Sequence, residues 1–154
     1  MLNFDDETND LVVVRDAIII PPAGIGRVQA SGVLTSDGSV VQNSISWSSP
    51  TVPVNAAPDM PAPETITAVP GTYMFGGIAY GHFGHFIVES LSRIWALDEL
   101  RGKIDGIIYT PKQHGGSTDR VFEVYGDIVR ALGIDVPCIS FPGPARVETL
   151  YVPK

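Results

Sequence analysis

Cysteine is almost absent from this chain: Cys138 is the only one among 154 residues. One thiol closes no intramolecular disulfide and fills no four-cysteine zinc site, so a disulfide-stapled scaffold and a zinc ribbon are both excluded. A reducing, cytoplasmic location is the expectation. Positive charge is also scarce, with 10 Lys and Arg against 17 Asp and Glu, a formal net charge of −7 and a pI near 4.7. Nucleic acid and anionic membrane surfaces both select a basic face, so neither is an expected partner. Long apolar runs are missing as well. Residues 11–14 and 18–20 are apolar but are separated by Arg15 and Asp16, far short of the roughly 18 apolar residues of a membrane span. The first ten residues carry four acidic groups and no Lys or Arg, the reverse of the basic start of a secretion signal.

What is present suffices for one core. The length fits a single domain over residues 1–154, and 44% hydrophobic content is enough to bury a core of that size. Residues 11–47 read as an antiparallel β-hairpin unit, with β-branched runs at 12–14 and 18–20 and Asp37-Gly38 as a two-residue type I′ turn between 32–34 and 40–41. From 48 to 70 six prolines fall among Ala, Thr and Val without a Lys or Arg, which predicts a Pro-rich strap across the core. Residues 71–154 alternate strand, helix, strand, helix, strand. A strand is expected at 72–75, a helix at 83–100 and a strand at 104–109. A second helix follows, capped by Ser117 or Thr118 and stopped by Gly133, with closing strands at 138–141 and 149–152. Such alternation implies an α/β fold, a Rossmann-like half with a parallel sheet and crossover helices, preceded by the hairpin unit.

The chemistry concentrates in Gly81-His82-Phe83-Gly84-His85-Phe86-Ile87-Val88-Glu89-Ser90-Leu91-Ser92-Arg93, which holds two of the three histidines. At about 100° per residue, an α-helix gathers His82, His85, Glu89, Ser92, Arg93 and Ala96 into one arc roughly 100° wide. Phe83, Phe86, Ile87, Val88, Leu91, Ile94 and Trp95 cover the rest. A narrow stripe of His, His, Glu, Ser and Arg suits a cleft, the competing reading being a solvated helix face. His85 and Glu89 are four apart, so imidazole and carboxylate meet, and Arg93 lies a further turn on. His82, His85 and Glu89 also present three metal ligands, although the spacing is not that of the H-E-x-x-H enzymes; no bound metal is expected. The glycines at 76, 77, 81 and 84 match neither G-x-G-x-x-G nor the P-loop, which favours turns and close packing over phosphate binding. His114 reads as an exposed turn residue, Cys138 as a small buried hydrophobe, and Trp47 and Trp95 as core.

The stretch from Tyr80 to Leu97 resembles the signature of glycosyltransferase family 61, which includes bacterial capsular polysaccharide biosynthesis proteins. His85, Phe86, Ile87, Val88, Glu89, Leu91 and Arg93 fall on its pattern of a His, an aromatic, two aliphatics, an acid, then Leu and Arg. Asp37-Gly38, residues 104–109, Leu132-Gly133-Ile134 and residues 147–153 agree with it. Members are typically longer, with a second α/β domain in a GT-B-like arrangement whose C-terminal half holds the donor nucleotide. The resemblance therefore implies an N-terminal, acceptor-side domain, with the C-terminal donor domain absent from this chain. It also implies inverting transfer of a sugar from a nucleotide sugar to a hydroxyl of a glycan acceptor, without metal or other cofactor. Glu89 and His85 become the candidate catalytic pair, one the base and the other its orienter. Arg93, His82 and Ser92 become the candidate substrate-binding residues. A non-catalytic carbohydrate-binding or assembly module is the alternative, and a metal-dependent hydrolase using His82, His85 and Glu89 is a third.

Overall fold

The computed structural model describes residues 10–154; the acidic start read above against a secretion signal lies at 1–9, outside them. Ten strands follow in chain order: β1 (Leu11–Ile20), β2 (Gln29–Ala30), β3 (Gly32–Leu34), β4 (Trp47–Ser49), β5 (Val52–Pro53), β6 (Asn55–Ala56), β7 (Thr67–Ala79), β8 (Gly106–Pro111), β9 (Cys138–Ile139) and β10 (Ala145–Pro153). Six of them form one mixed sheet in the order β3-β1-β10-β7-β8-β9. β10, β7, β8 and β9 run parallel, and β1 is antiparallel to both of its neighbours. The protein is thus an α/β fold on a mostly parallel sheet. Period-2 alternation puts Phe75 and Ile108 into one apolar cluster and Met74, Ile107 and Tyr109 into another, and the register shift between Val147 and Thr149 brings both Val147 and Leu150 into the first. Central strands covered on both faces read as continuous apolar runs, and these do.

Between β7 and β8 the chain is helical in pieces: α1 (Phe83–His85), a π turn (Phe86–Ser90), a 3₁₀ turn (Ile94–Ala96) and α2 (Leu97–Leu100). Between β8 and β9 come α3 (Thr118–Val124) and α4 (Gly126–Ala131). Ser117 Oγ caps α3 by accepting the Arg120 N–H at 3.2 Å. Gly133, at φ +72, stops α4 in the left-handed conformation that favours glycine. No helix among the described residues is long and apolar enough to cross a membrane.

Several sequence expectations need correction. The β unit at 11–47 is antiparallel where β1 meets β3, but its strands are differently composed and continuous with the main sheet. Its runs at 12–14 and 18–20 are halves of one strand, β1, paired along its length with β10 at the other end of the chain. Long-range burial decided that pairing, and local patterning carries no trace of it. At Asp37-Gly38 the chain does reverse, with Leu34 bridging Val40 and the Gly38 N–H donating to Thr35 O at 3.0 Å. The turn is not type I′, because Asp37 is not at positive φ. A hydrogen bond from Thr35 Oγ1 to Asp37 Oδ1 and one from the Ser39 N–H to the same carboxylate hold it otherwise.

The strap at 48–70 is partly regular. β5 pairs with β4 around Pro50-Thr51, β6 pairs with β2, and residues 67–70 already belong to β7. Pro70 sits where the β7–β10 register slips, and the next N–H, that of Gly71, donates to Glu148 Oε2 at 2.8 Å. A proline inside a strand is tolerated at such a bulge. The strap is pinned to the sheet by buried Asn55, whose amide donates to Ser31 O at 2.8 Å and whose Oδ1 accepts the Ser46 N–H at 2.8 Å. Trp47 and Trp95 are not core: they are 56% and 41% exposed.

Cys138 packs at the margin of the cluster holding Ile107 and Tyr109, and burial pushes its thiol from 9.0 up to about 11. Thiolate is the reactive form. At pH 8 the native thiol is therefore expected to alkylate about 100-fold more slowly than in the unfolded chain, tenfold for each unit of pKa. A time course of labelling by mass spectrometry, with and without denaturant, checks this; equal rates would refute it.

Candidate functional site

Ala79 and Pro111 end β7 and β8 side by side. The residues that follow them, Tyr80 and Lys112, meet off the strand ends, with Lys112 Nζ 5.6 Å from the centre of the Tyr80 ring. This is also where the strand order reverses. The chain moves from β7 outward through β8 to β9, then returns as β10 on the other side of β7. Crevices outside the carboxyl ends of strands at such a reversal are where α/β sheets take their ligands.

The helical stretch is docked there by serines. Ser90 Oγ accepts the Tyr80 N–H at 2.9 Å and donates to Ile78 O at 2.7 Å, while the fully buried Tyr109 donates its hydroxyl to Ser90 O at 2.9 Å. Ser92 Oγ donates to Glu89 O at 2.8 Å. Side chains that bond nearby backbone compete with the regular helical ladder. Here the Leu91 N–H reaches back five residues to Phe86 O, which makes the π turn. Phe86 anchors it from below, stacked on Tyr125 at 4.3 Å between ring centres, and the Tyr125 hydroxyl donates to Gly81 O at 2.6 Å.

The π turn corrects the helix expected at 83–100 and dissolves the six-residue stripe. The four-residue step from His85 to Glu89 survives: His85 Nδ1 lies 3.3 Å from Glu89 Oε2. His82 stays beside them, edge-on to the His85 ring at 5.4 Å. Arg93 does not. One residue of widening rotates everything after it, and the Arg93 side chain turns inward over the Phe75 ring, 5% exposed. Its Nε donates to Pro153 O at 3.0 Å and its Nη2 to Asn43 O at 2.8 Å. Burial lowers its pKa from 12.5 to about 10, so it remains charged at neutral pH. Ser92 is exposed and spends its hydroxyl on the Glu89 carbonyl. Of the apolar residues on the rest of the circumference, Phe86 is buried and Phe83, Ile87 and Val88 are exposed.

His85 and Glu89 border a groove of about 320 Å³. Tyr80 forms its floor with His85, their rings stacked at 5.1 Å and 26°. The strap supplies an apolar wall through Val52, Pro53 and Val54, and Arg27 and Lys112 stand at the rim. Burial, then the adjoining Glu89 carboxylate, pushes the Tyr80 hydroxyl well above the usual phenol range. Glu89 Oε2 is itself buried, 3.3 Å from His85 Nδ1, and its carboxylate adjoins the Tyr80 hydroxyl. A second cavity, of about 410 Å³ around His114, Ser117 and Thr118, holds no imidazole–carboxylate pair.

Tyr80, Arg27, Lys112 and the strap wall escaped the sequence reading. Tyr80 and Lys112 carried a signal, each being the first residue after a strand; Arg27 carried none. Among the described residues no three His, Cys, Asp or Glu side chains form a group that could hold a metal ion. Gly76 and Gly77 serve close packing, whereas a Cβ at Gly81 would meet open space. A Cβ on Gly76 would lie 2.5 Å from the Tyr109 ring, and Gly77, at φ +92, leaves room for the Arg93 guanidinium. No protein-family model, curated protein or solved structure matches the chain.

Proposed function

We propose that this groove holds the acceptor of a sugar transfer, and that the chain is the Rossmann-like, acceptor-side half of an inverting, GT-B-like glycosyltransferase resembling family 61 in polysaccharide biosynthesis. The observation that carries the reading is the His85–Glu89 pair, 3.3 Å apart at the edge of a groove with an aromatic floor. With Nδ1 turned to Glu89, Nε2 of His85 is the nitrogen left for an acceptor hydroxyl. It takes the hydroxyl proton as the oxygen attacks the anomeric carbon, and the bond from that carbon to the nucleoside diphosphate breaks, the electron pair leaving with the diphosphate. Glu89 holds the ring and stabilises the imidazolium, as a carboxylate does behind a histidine base. The nucleotide sugar is met mainly by a donor-binding half outside this chain.

The test has two parts. Acceptor oligosaccharides added to the chain alone are expected to shift the His85 imidazole NMR signals, an effect abolished in Tyr80→Ala. No sugar is expected to move from a nucleotide sugar until a donor-binding half is supplied. Transfer by this chain alone would overturn the division of labour, and an unperturbed His85 would remove the groove as the acceptor site. A glycan-binding module without chemistry is the second reading. Trp47 favours it, an exposed ring on β4 next to Ser48 of the groove wall; acceptor binding with no turnover in the assembled pair would decide for it.

A further inference from the structure

We infer that the acceptor held by this groove is an anionic glycan, one whose sugar carries a carboxylate or an acidic ester at the end facing Arg27 and Lys112; the inference rests on the acceptor reading above. The chain as a whole is acidic, at −7, yet its groove is not. Lined by Tyr80, His85 and Glu89 on one side and by the strap on the other, it carries two permanent cations at the rim and a single carboxylate. That carboxylate is already committed to His85. Neither cation has an acidic partner, since the ion pairs among the described residues are His85–Glu89 and Arg130–Asp127. Lys112 Nζ donates to the backbone carbonyl of Arg27 at 3.4 Å, which brings the two positive side chains onto one stretch of rim.

The rest of the lining narrows the ligand. Neutral sugars are held through their hydroxyls, and the side chains that grip a hydroxyl from both sides are those with an acceptor and a donor or two acceptors. Of that kind the groove offers Ser48 and the Tyr80–His85–Glu89 cluster at which the reacting hydroxyl is placed, and it has no Asn, Gln or Asp to hold the other hydroxyls of a neutral sugar. It offers instead an apolar wall at Val52, Pro53 and Val54, the flat Tyr80–His85 stack, and two cationic side chains, those of Arg27 and Lys112. The wall and the stack suit the faces of a pyranose ring. The Arg27 guanidinium matches the paired oxygens of a carboxylate or phosphate. A nucleoside diphosphate would use the cations but would set a highly charged chain against the apolar wall.

The experiment uses the chain as it stands and a matched set of probes: a uronic-acid trisaccharide, its carboxyl-reduced neutral twin, the twin bearing a phosphate ester, and a nucleoside diphosphate. Calorimetry is expected to show the uronic acid or the phosphate ester bound at least about tenfold tighter than the neutral twin, a charge-assisted hydrogen bond being worth that much. The stronger of the two identifies the acidic group. Arg27→Ala and Lys112→Ala should each remove most of this preference without changing the melting temperature, both side chains being exposed. Arg120→Ala, an exposed cation outside the groove, should leave the preference intact. Equal affinity for the neutral twin would overturn the inference while the acceptor reading stood. Binding of the nucleoside diphosphate alone would also overturn it, by assigning the cations to the leaving group. Binding of none of the four would take the acceptor reading down with it.

Discussion

Under the proposed sugar transfer, replacing Glu89 by Gln is expected to lower the kcat of the assembled transferase by about 10²–10⁴, with KM within about threefold. Glutamine keeps the size of the side chain and removes its charge. The imidazolium that forms as His85 takes the acceptor proton then loses the anion 3.3 Å from its Nδ1. That charge exists only in the transition state and after it, so the loss falls on kcat. Folding should survive, because glutamine has the same shape and its amide oxygen can still meet the Tyr80 hydroxyl and the His85 ring beside it. The isolated chain offers an independent readout. The Glu89 carboxylate is one of the causes that push the Tyr80 hydroxyl up, so the phenol of Glu89→Gln should titrate at lower pH than in the parent, followed by ultraviolet absorbance. A kcat loss below threefold would remove Glu89 from the mechanism. A lowered melting temperature with an unchanged rate per folded molecule would make it a structural partner of His85.

Arg93→Ala is expected to cost stability rather than affinity, about 4 kcal/mol, since each buried carbonyl left without a donor costs about 1–3 kcal/mol. The guanidinium serves Pro153 O and Asn43 O, and its Nη1 and Nη2 each lie 3.4 Å from Ser46 Oγ. It therefore ties the helical stretch to the end of β10 and to the chain just before β4. At about 2–4 °C for each kcal/mol in a domain of this size, the melting temperature should fall by roughly 8–16 °C. Arg93→Lys should recover only part of this, an ammonium having no planar fork to span three acceptors. Glycan affinity per folded molecule should not change. Weaker glycan binding with the melting temperature within about 2 °C of the parent would restore Arg93 to the substrate site.

These two residues mark the limits of what the sequence discloses. The His85–Glu89 contact is a four-residue step, and it survives the change of helix type because it depends on almost nothing else. The Ser117 cap and the Gly133 stop were legible for the same reason: their partners lie within one turn. Arg93 was misplaced because the 100° count assumes an unbroken helix, and two serines bonding to backbone disrupt this one. Arg27 and Lys112 were invisible because they stand 85 residues apart and meet only once the loops after β1 and β8 are folded. The alternation after residue 70 predicted an α/β sheet. That β1 would extend it, beside a strand contacted through Arg15 and Thr149 across 134 residues, was beyond any local pattern.

The position of β10 bears on the order in which the protein can assemble. The last strand in sequence lies between β1 and β7, near the middle of the sheet. During synthesis from the N-terminus, β1 and β7 thus each present an open hydrogen-bonding edge until residues 145–153 have emerged to fill the gap between them. Pairing of such high sequence separation is slow and leaves apolar edges exposed while it waits. Vectorial folding can build the β7–β8–β9 segment with its helices first, and the sheet closes only once β10 has emerged, so the interval before that is when the two edges most need protection.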